Sequence, residues 1–301
     1  MSSCDFVAGW AAGCSGLIVG HPVDTVKVRQ QALGISSAMR VIKSTYKYEG
    51  FFSFYKGMLF PLLSAGILNS VFFGVYGTAL RQLPRFTQEK SSNYDSNSKR
   101  PPYSVMEIFL CGCIGGFAQV FITCPVDLIK IKMQTETGKN AKLEGRHGQH
   151  FKGSFECLRK IYNDNGIKGC YRGLGITLIR DIPSSGLYFL VYEKILSWFH
   201  PGNHHETFEF FSTVCSGGIA GMISWAAILP LDVIKSRMQA DDIKKPVYSG
   251  IFDCFKKSLH SNGWGIFGRG FWVMCLRAFP VNAVSFLSYE GIMCNVCRPY
   301  A

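Results

Sequence analysis

Pro22-Val-Asp24-Thr-Val-Lys27 returns as Pro125-Val-Asp127-Leu-Ile-Lys130 and again as Pro230-Leu-Asp232-Val-Ile-Lys235, at offsets of 103 and 105 residues in a chain of 301. Each copy closes an apolar, glycine-containing stretch. Each is followed by a base (Arg29, Lys132, Arg237) and then a glutamine (Gln31, Gln134, Gln239). A repeat of this period means three equivalent units, so the architecture is read from the repeat first. It also places a helix-kinking proline, an acid and a base at the same point of three helices.

Composition supports a membrane setting. Hydrophobic residues make up 48% of the chain and charged residues 17%, against about 25% charged in soluble domains. The net charge of +12 is concentrated: 23 of the 32 Lys and Arg lie between a signature and the next apolar stretch. These bases flank apolar segments instead of forming a stripe interleaved with exposed aromatics, which argues against nucleic acid and for the positive side of a membrane protein. The 12 cysteines are scattered through apolar stretches with no secretory signal ahead of them. They read as free thiols, and Cys294-Asn-Val-Cys297 reads as a helix end. No Arg-rich leader is seen. No cofactor or metal is implied.

Six apolar stretches, roughly 6–32, 58–83, 104–135, 172–198, 207–239 and 271–297, each reach the ~20 residues a membrane helix needs. Polar amphipathic segments at 36–48, 153–163 and 250–261 separate the members of each pair. In the first, Ala38, Val41, Ile42, Thr45 and Tyr46 share a face while Arg40, Lys43 and Lys47 lie off it, as on a helix at a membrane surface. The expected fold is an all-α membrane protein, six transmembrane helices in three pseudo-symmetric repeats, each with a short surface helix. The repeats occupy 1–84, 103–199 and 206–297, joined by polar linkers. Glycines four apart (Gly9/Gly13, Gly16/Gly20, Gly112/Gly116, Gly217/Gly221) predict close helix packing.

An acid or base at membrane depth costs about 3 kcal/mol or more unless it is paired or hydrated. Asp24 and Lys27 are three apart and could pair locally. The same arrangement at three equivalent positions favours a ring in which each acid meets the base of the neighbouring repeat: Asp24–Lys130, Asp127–Lys235 and Asp232–Lys27. Gln31, Gln134 and Gln239 are placed to cap those pairs. Such a ring is a plug that a ligand can open.

The three signatures, together with Glu49-Gly50 and Tyr55-Lys56-Gly57 in the first repeat, resemble the mitochondrial carrier family along essentially the whole chain. The second repeat departs at Asn165-Gly166 but keeps Tyr171-Arg172-Gly173. The third departs at Asn262-Gly263 and at Gly268-Arg269-Gly270, which lacks the aromatic. The resemblance implies a multi-pass transporter of the mitochondrial inner membrane, not an enzyme, working by alternating access as a monomer. The ion-pair ring is then the matrix-side gate. Lipid phosphates, as in cardiolipin, are implied at helix N-termini beside Gly57, Gly153, Gly173, Gly250 and Gly270. The family's second gate is eroded: Tyr76 is followed by Gly77 where an acid belongs. Tyr192-Glu193 and Tyr289-Glu290 keep their acids, but Leu196 and Met293 stand where bases belong. The expectation is a weak cytosolic gate and easier net uniport.

For the solute, the ionisable residues outside the gates are Arg180, Asp181 and Arg277, with Asn69 the most polar candidate of the second apolar stretch. Trp225 lies two helical turns before Asp232. An Arg fork suits a carboxylate, and Asp181 with the Trp225 ring suits a positive nitrogen. The alternative is a structural Arg180–Asp181 pair with Trp225 in packing. An Arg-acid dipeptide on the fourth helix resembles amino-acid, ornithine-type and carnitine-type carriers. The run Gly20-His21-Pro22 and the run Arg277-Ala-Phe-Pro280 resemble the carnitine and basic amino-acid branch. The leading solute class is a cationic or zwitterionic amino acid or a methylated quaternary-ammonium compound. Carnitine and its acyl esters come second; a proton-leak carrier and a non-transporting scaffold follow. His21, directly before a proline, reads as a hydrogen-bonded structural histidine before a ligand.

Overall fold

The computed structural model describes residues 3–87, 105–136, 151–199, 206–242 and 246–292, and no strand occurs among them. Among the described residues nine helices follow in order: α1 (Ser3–Leu33), α2 (Ala38–Glu49), α3 (Leu59–Thr87), α4 (Val105–Thr135), α5 (Ser154–Cys170), α6 (Leu174–Phe199), α7 (Glu206–Ala240), α8 (Ile251–Asn262) and α9 (Phe271–Ile292). Short 3₁₀ turns at Phe51–Tyr55 and Trp264–Gly268 lead into α3 and α9. The order long, short, long is therefore repeated three times.

The six long helices stand where six spans are expected. Among the described residues, four segments are long and apolar enough to cross a membrane: Phe51–Gln82, Met106–Thr135, Leu174–Tyr192 and Ile219–Ala240. Polar side chains dilute the other two helices. The second half of α1 carries His21, Asp24, Lys27, Arg29, Gln30 and Gln31, and α9 carries Arg277, Asn282 and Glu290.

The second surface helix continues past 163 to Cys170, but it is broken at Gly166, whose φ is 62°. Gly50 and Gly263 stand at the corresponding points with φ of 82° and 66°. An L side chain rarely adopts this backbone, so glycine here lets the chain turn back after each surface helix. The second glycine of each repeat (Gly57, Gly173, Gly270) also has positive φ. Here space matters too. A Cβ would meet Met133 Cβ at 3.0 Å on Gly57, Gln239 Cγ at 3.0 Å on Gly173, and Lys27 Cγ at 3.0 Å on Gly270. Each repeat's turn thus lies against the signature helix of the next repeat.

The chain packs as two compact units. The first comprises Met1–Ile67, Ile122–Ile176 and Leu229–Ala301; the second comprises Leu68–Phe121 and Thr177–Ile228. In the first unit each surface helix buries one small apolar cluster. Val41 joins Val26 and Phe54. Cys157 and Ile161 join Leu128, Ile129 and Met133. Cys254 joins Val233, Ile234 and Ile266. The buried face of α2 is narrower than its sequence suggests: Val41 and Thr45 are fully buried, whereas Ile42 and Tyr46 are exposed. Also in this unit, α1 packs along α9 through Gly16 and Gly20; a Cβ on Gly16 would collide with Ser285 Oγ.

In the second unit Gly112 and Gly116 of α4 approach Ser185 and Gly186 of α6. Gly9, Gly13 and Gly221 differ from the expectation of close packing, since a Cβ there meets no described atom within 4 Å. An aromatic stack joins α3 and α6: Tyr76 lies over Phe189 with ring centroids 4.6 Å apart, and Phe72 is parallel to Phe189 at 5.7 Å.

Candidate functional site

The three signature prolines, Pro22, Pro125 and Pro230, lie inside α1, α4 and α7. A proline in a helix removes one backbone hydrogen bond and bends the axis. The acid and base just beyond it are then presented together. All three are joined between repeats. Lys130 Nζ donates to Asp24 Oδ2 at 2.8 Å, Lys235 Nζ lies 2.5 Å from Asp127 Oδ2, and Lys27 Nζ lies 2.8 Å from Asp232 Oδ2. Asp24, Lys27, Asp232 and Lys235 are buried. Buried charges attract strongly but lose their hydration, so such pairs are poor glue and well suited to switching.

Arg277 is drawn into this ring. Its Nε lies 2.6 Å from Asp24 Oδ1, so Asp24 holds Lys130 on one oxygen and Arg277 on the other. The sequence reading placed Arg277 only among solute ligands. The missed signal is Gly20, one turn before Asp24: a Cβ there would stand 3.1 Å from Arg277 Nε, so the glycine leaves the guanidinium room to reach.

The glutamines do not cap the ion pairs as expected. Gln134 Nε2 donates to Thr25 Oγ1 at 3.0 Å. Gln31 accepts from Ser236 Oγ at 2.9 Å and donates to the Arg269 carbonyl at 3.3 Å. Gln239 has no hydrogen-bond partner for either amide atom among the described residues. The reason is reach: each glutamine is two turns beyond its acid, and there Gln31 and Gln134 meet polar groups of a neighbouring repeat. His21 behaves as a structural histidine, with Nε2 3.0 Å from the Lys56 carbonyl.

Beyond the ring, the first repeat brings Arg29 and Lys56 onto one carboxylate. Glu49 accepts Arg29 through two bonds of 2.6 and 2.9 Å and Lys56 at 2.8 Å. Burial alone would raise the Glu49 carboxyl, but these two cations hold it below its ordinary value. In the second repeat, where Asn165 replaces that acid, Asp241 takes over. Its fully buried carboxylate accepts Arg172 Nη2 at 2.9 Å and the amides of Val247 and Tyr248 at 2.9 and 3.1 Å. Sequence reasoning passed over Asp241 because it stands outside every repeated motif.

The residues suggested for the solute lie as follows. In the second unit, Arg180 Nε donates to Asp181 Oδ1 at 2.5 Å, and both side chains are largely buried. Asn69 is exposed, and Trp225 is 39% exposed. Arg277 belongs to the first unit, held by Asp24. Of the eroded second gate, Tyr192 stacks on Tyr188 with centroids 6.3 Å apart. The side chains of Glu193, Leu196, Tyr289 and Glu290, and all of Met293, lie outside the described residues. Gly153 and Gly250 stand at the starts of α5 and α8 with extended backbone and no side-chain cap. In the first repeat Ser37 occupies that place and accepts from the Arg40 amide.

Three proline-containing helices carrying an inter-repeat ion-pair ring, in a threefold repeated helical chain, define a membrane solute transporter of pseudo-symmetric build. The family model described as mitochondrial carrier protein matches residues 2–86, 101–203 and 206–297, and the chain belongs to that family. It is 41% identical over 293 residues to human solute carrier family 25 member 45, covering 96% of this chain and 97% of that protein. It is 37% identical to human solute carrier family 25 member 48, with 95% and 93% covered. It is also 37% identical to the human mitochondrial basic amino acids transporter, with 96% and 89% covered. Members of the family carry small-molecule solutes and are not enzymes, and this chain is a multi-pass protein of the mitochondrial inner membrane.

Proposed function

We propose that this carrier moves a cationic or zwitterionic amino acid, or a methylated quaternary-ammonium compound, by alternating access. The observation that carries the solute class is the adjacent, largely buried Arg180–Asp181 pair. A zwitterion supplies both of the charges that this pair now satisfies internally. Its carboxylate takes the Arg180 fork, and its positive nitrogen takes Asp181 with the Trp225 face. The similarity to a basic amino acids transporter supports the same class.

The ring Asp24–Lys130, Asp127–Lys235 and Asp232–Lys27 acts as the matrix-side gate. A solute opens it only by binding the occluded state more tightly than the open one. Arg277, on Asp24, is part of that gate and a second fork for a carboxylate. Cardiolipin phosphates at Gly153 and Gly250, with Gly57, Gly173 and Gly270, complete the reading, and the working unit is the monomer.

Uptake into liposomes carrying the purified chain tests this with labelled arginine, lysine, methylated lysines, choline, carnitine, ADP and a dicarboxylic oxo-acid. Transport of the cationic members, weakened selectively by Asp181→Asn, is expected. Transport of oxo-acids alone, or full zwitterion transport by Arg180→Ala, overturns the solute reading. Strict one-for-one exchange overturns the expectation of uniport that follows from the eroded second gate.

A further inference from the structure

The last carbonyls of an α-helix have no intrahelical partner, and the negative end of the helix dipole lies there, so a cation at that end makes charge-assisted bonds. The second base of each signature meets such an end on the next repeat. Arg29 donates from Nε to the Gln134 carbonyl at 2.8 Å and from Nη2 to the Glu136 carbonyl at 3.2 Å, at the end of α4. Lys132 donates to the Asp241 carbonyl, at the end of α7. Arg237 donates from Nε to the Gln31 carbonyl at 3.1 Å, at the end of α1. The order is cyclic: first repeat to second, second to third, third to first. Two bases of the later turns join in, Arg172 Nη1 on the Asp242 carbonyl at 2.8 Å and Arg269 Nη1 on the Gly34 carbonyl. All of these residues belong to the first compact unit.

Two of these bases also hold the surface helix of their own repeat. Arg29 Nη1 donates to Thr45 Oγ1 at 2.7 Å and to Glu49 Oε1 at 2.6 Å. Arg237 donates from Nη1 to Ser258 Oγ at 2.9 Å and from Nη2 to Asn262 Oδ1 at 3.1 Å. Thr45 and Ser258 each stand four residues before Glu49 and Asn262, at equivalent places of α2 and α8. In the second repeat that place is Ile161, a side chain without a hydroxyl, and the base is a lysine. A planar guanidinium serves two helices at once, whereas an ammonium acts as a point charge. The choice of base therefore follows what the surface helix offers it. Arg29 and Arg237 are buried, which strengthens their bonds to the carbonyls.

We propose that Arg29, Lys132 and Arg237 are positioning residues of the gate, each latching the end of the next repeat's signature helix. Arg29 and Arg237 carry the surface helix of their own repeat with that end. The inference rests on the reading of the ion-pair ring as the matrix-side gate. Signature helices cannot part at the ring while their ends stay latched, so opening breaks three charge-to-carbonyl joints together with three ion pairs. The two rings differ in what they leave behind. A broken ion pair leaves two charges to be hydrated, whereas a broken latch leaves one charge and one carbonyl.

The test is amide hydrogen exchange of the full-length chain in a neutral detergent, read by mass spectrometry at the last turns of α1, α4 and α7. Loss of a latch frays the helix end it held, so exchange there should quicken by about threefold or more. Lys132→Gln is expected to do this at the end of α7 and Arg237→Gln at the end of α1, one place ahead in the cycle. Arg29→Lys, which keeps a cation for Glu49 but gives up the fork, should do it at the end of α4. Arg237→Lys is the milder form if the glutamine variant does not melt cooperatively. Glu49→Gln is the control: it should loosen α2 and leave the end of α4 protected. Lys235→Gln breaks the ion-pair ring and is expected to fray all three ends together. The latch is overturned, whatever Lys235→Gln does, if a folded latch variant keeps the unmodified rate at the next helix end or frays only the helix bearing the substitution. If the latch variants behave as expected but Lys235→Gln frays no end, the two rings are not one gate, and the reading beneath the proposal fails with it.

Discussion

Arg277 Nε lies 2.6 Å from Oδ1 of Asp24, on the opposite side of the carboxylate from Lys130. One acid of the ring therefore holds two cations, and this corner of the gate is tied to α9.

That shared acid sets the first expectation. Asp24→Asn takes the carboxylate from both Lys130 and Arg277, so it should lower the thermal midpoint and the uptake rate. Arg277→Lys keeps the charge but not the guanidinium and should fall between Asp24→Asn and the unmodified chain. A melting and flux comparison in which Asp24→Asn matches the unmodified chain would contradict the shared contact.

Breaking one partner of a buried ion pair leaves an uncompensated charge and typically costs about 3–5 kcal/mol. Asp127 keeps 25% of its side-chain exposure, so Lys235→Ala should sit at the low end, about 3 kcal/mol. Exchanging the pair, Asp127→Lys with Lys235→Asp, should recover most of what either reversal alone loses. A double-mutant cycle of melting midpoints reads this coupling.

Glycine positions along α1 should divide sharply. A Cβ on Gly20 meets Val281 Cγ2 at 2.8 Å and Arg277 Nε at 3.1 Å, while one on Gly9 meets nothing described within 4 Å. Gly20→Ala is expected to destabilise by about 1–3 kcal/mol, as overpacked sites do. Gly9→Ala should be neutral or stabilise by up to about 1 kcal/mol through helix propensity. Thermal unfolding of the two variants side by side decides it.

Glu49 gives a pH dependence whose sign is determined by its neighbours. Its folded-state carboxyl lies below the ordinary value because Arg29 and Lys56 outweigh the opposing effect of burial. The stability it supplies is complete above the ordinary glutamate range and disappears as pH falls through the depressed folded value. Melting midpoints measured from neutral to acid pH should fall less steeply in Glu49→Gln, which starts lower.

Thiol chemistry offers a check on the surface helices. Cys157 and Cys254 are fully buried under α5 and α8, and burial pushes their thiols up to about 12 and about 11. Both should resist maleimide in the folded chain at neutral pH and react only on unfolding, with labelling read by mass spectrometry. The half-buried Cys113 is the internal comparison.

Much of this molecule is legible in its one-dimensional pattern. The repeated Pro-x-Asp-x-x-Lys phrase sets three equivalent kinked helices, and the apolar lengths and polar intervals between them set long and short helices in turn. Gly50, Gly166 and Gly263 mark the breaks because only a residue without a side chain turns there freely. Even the pairing across repeats follows, since three identical buried charges have no cheaper solution than each other. What the pattern does not contain is reach across the fold. Arg277 on Asp24, Gln134 on Thr25 and Asp241 beneath Arg172 join residues 69 to 253 positions apart. The sequence determined the helices and the ring by local periodicity and charge. Only the tertiary structure decided which bases share an acid, because that depends on which side chains a glycine or a kink allows to meet.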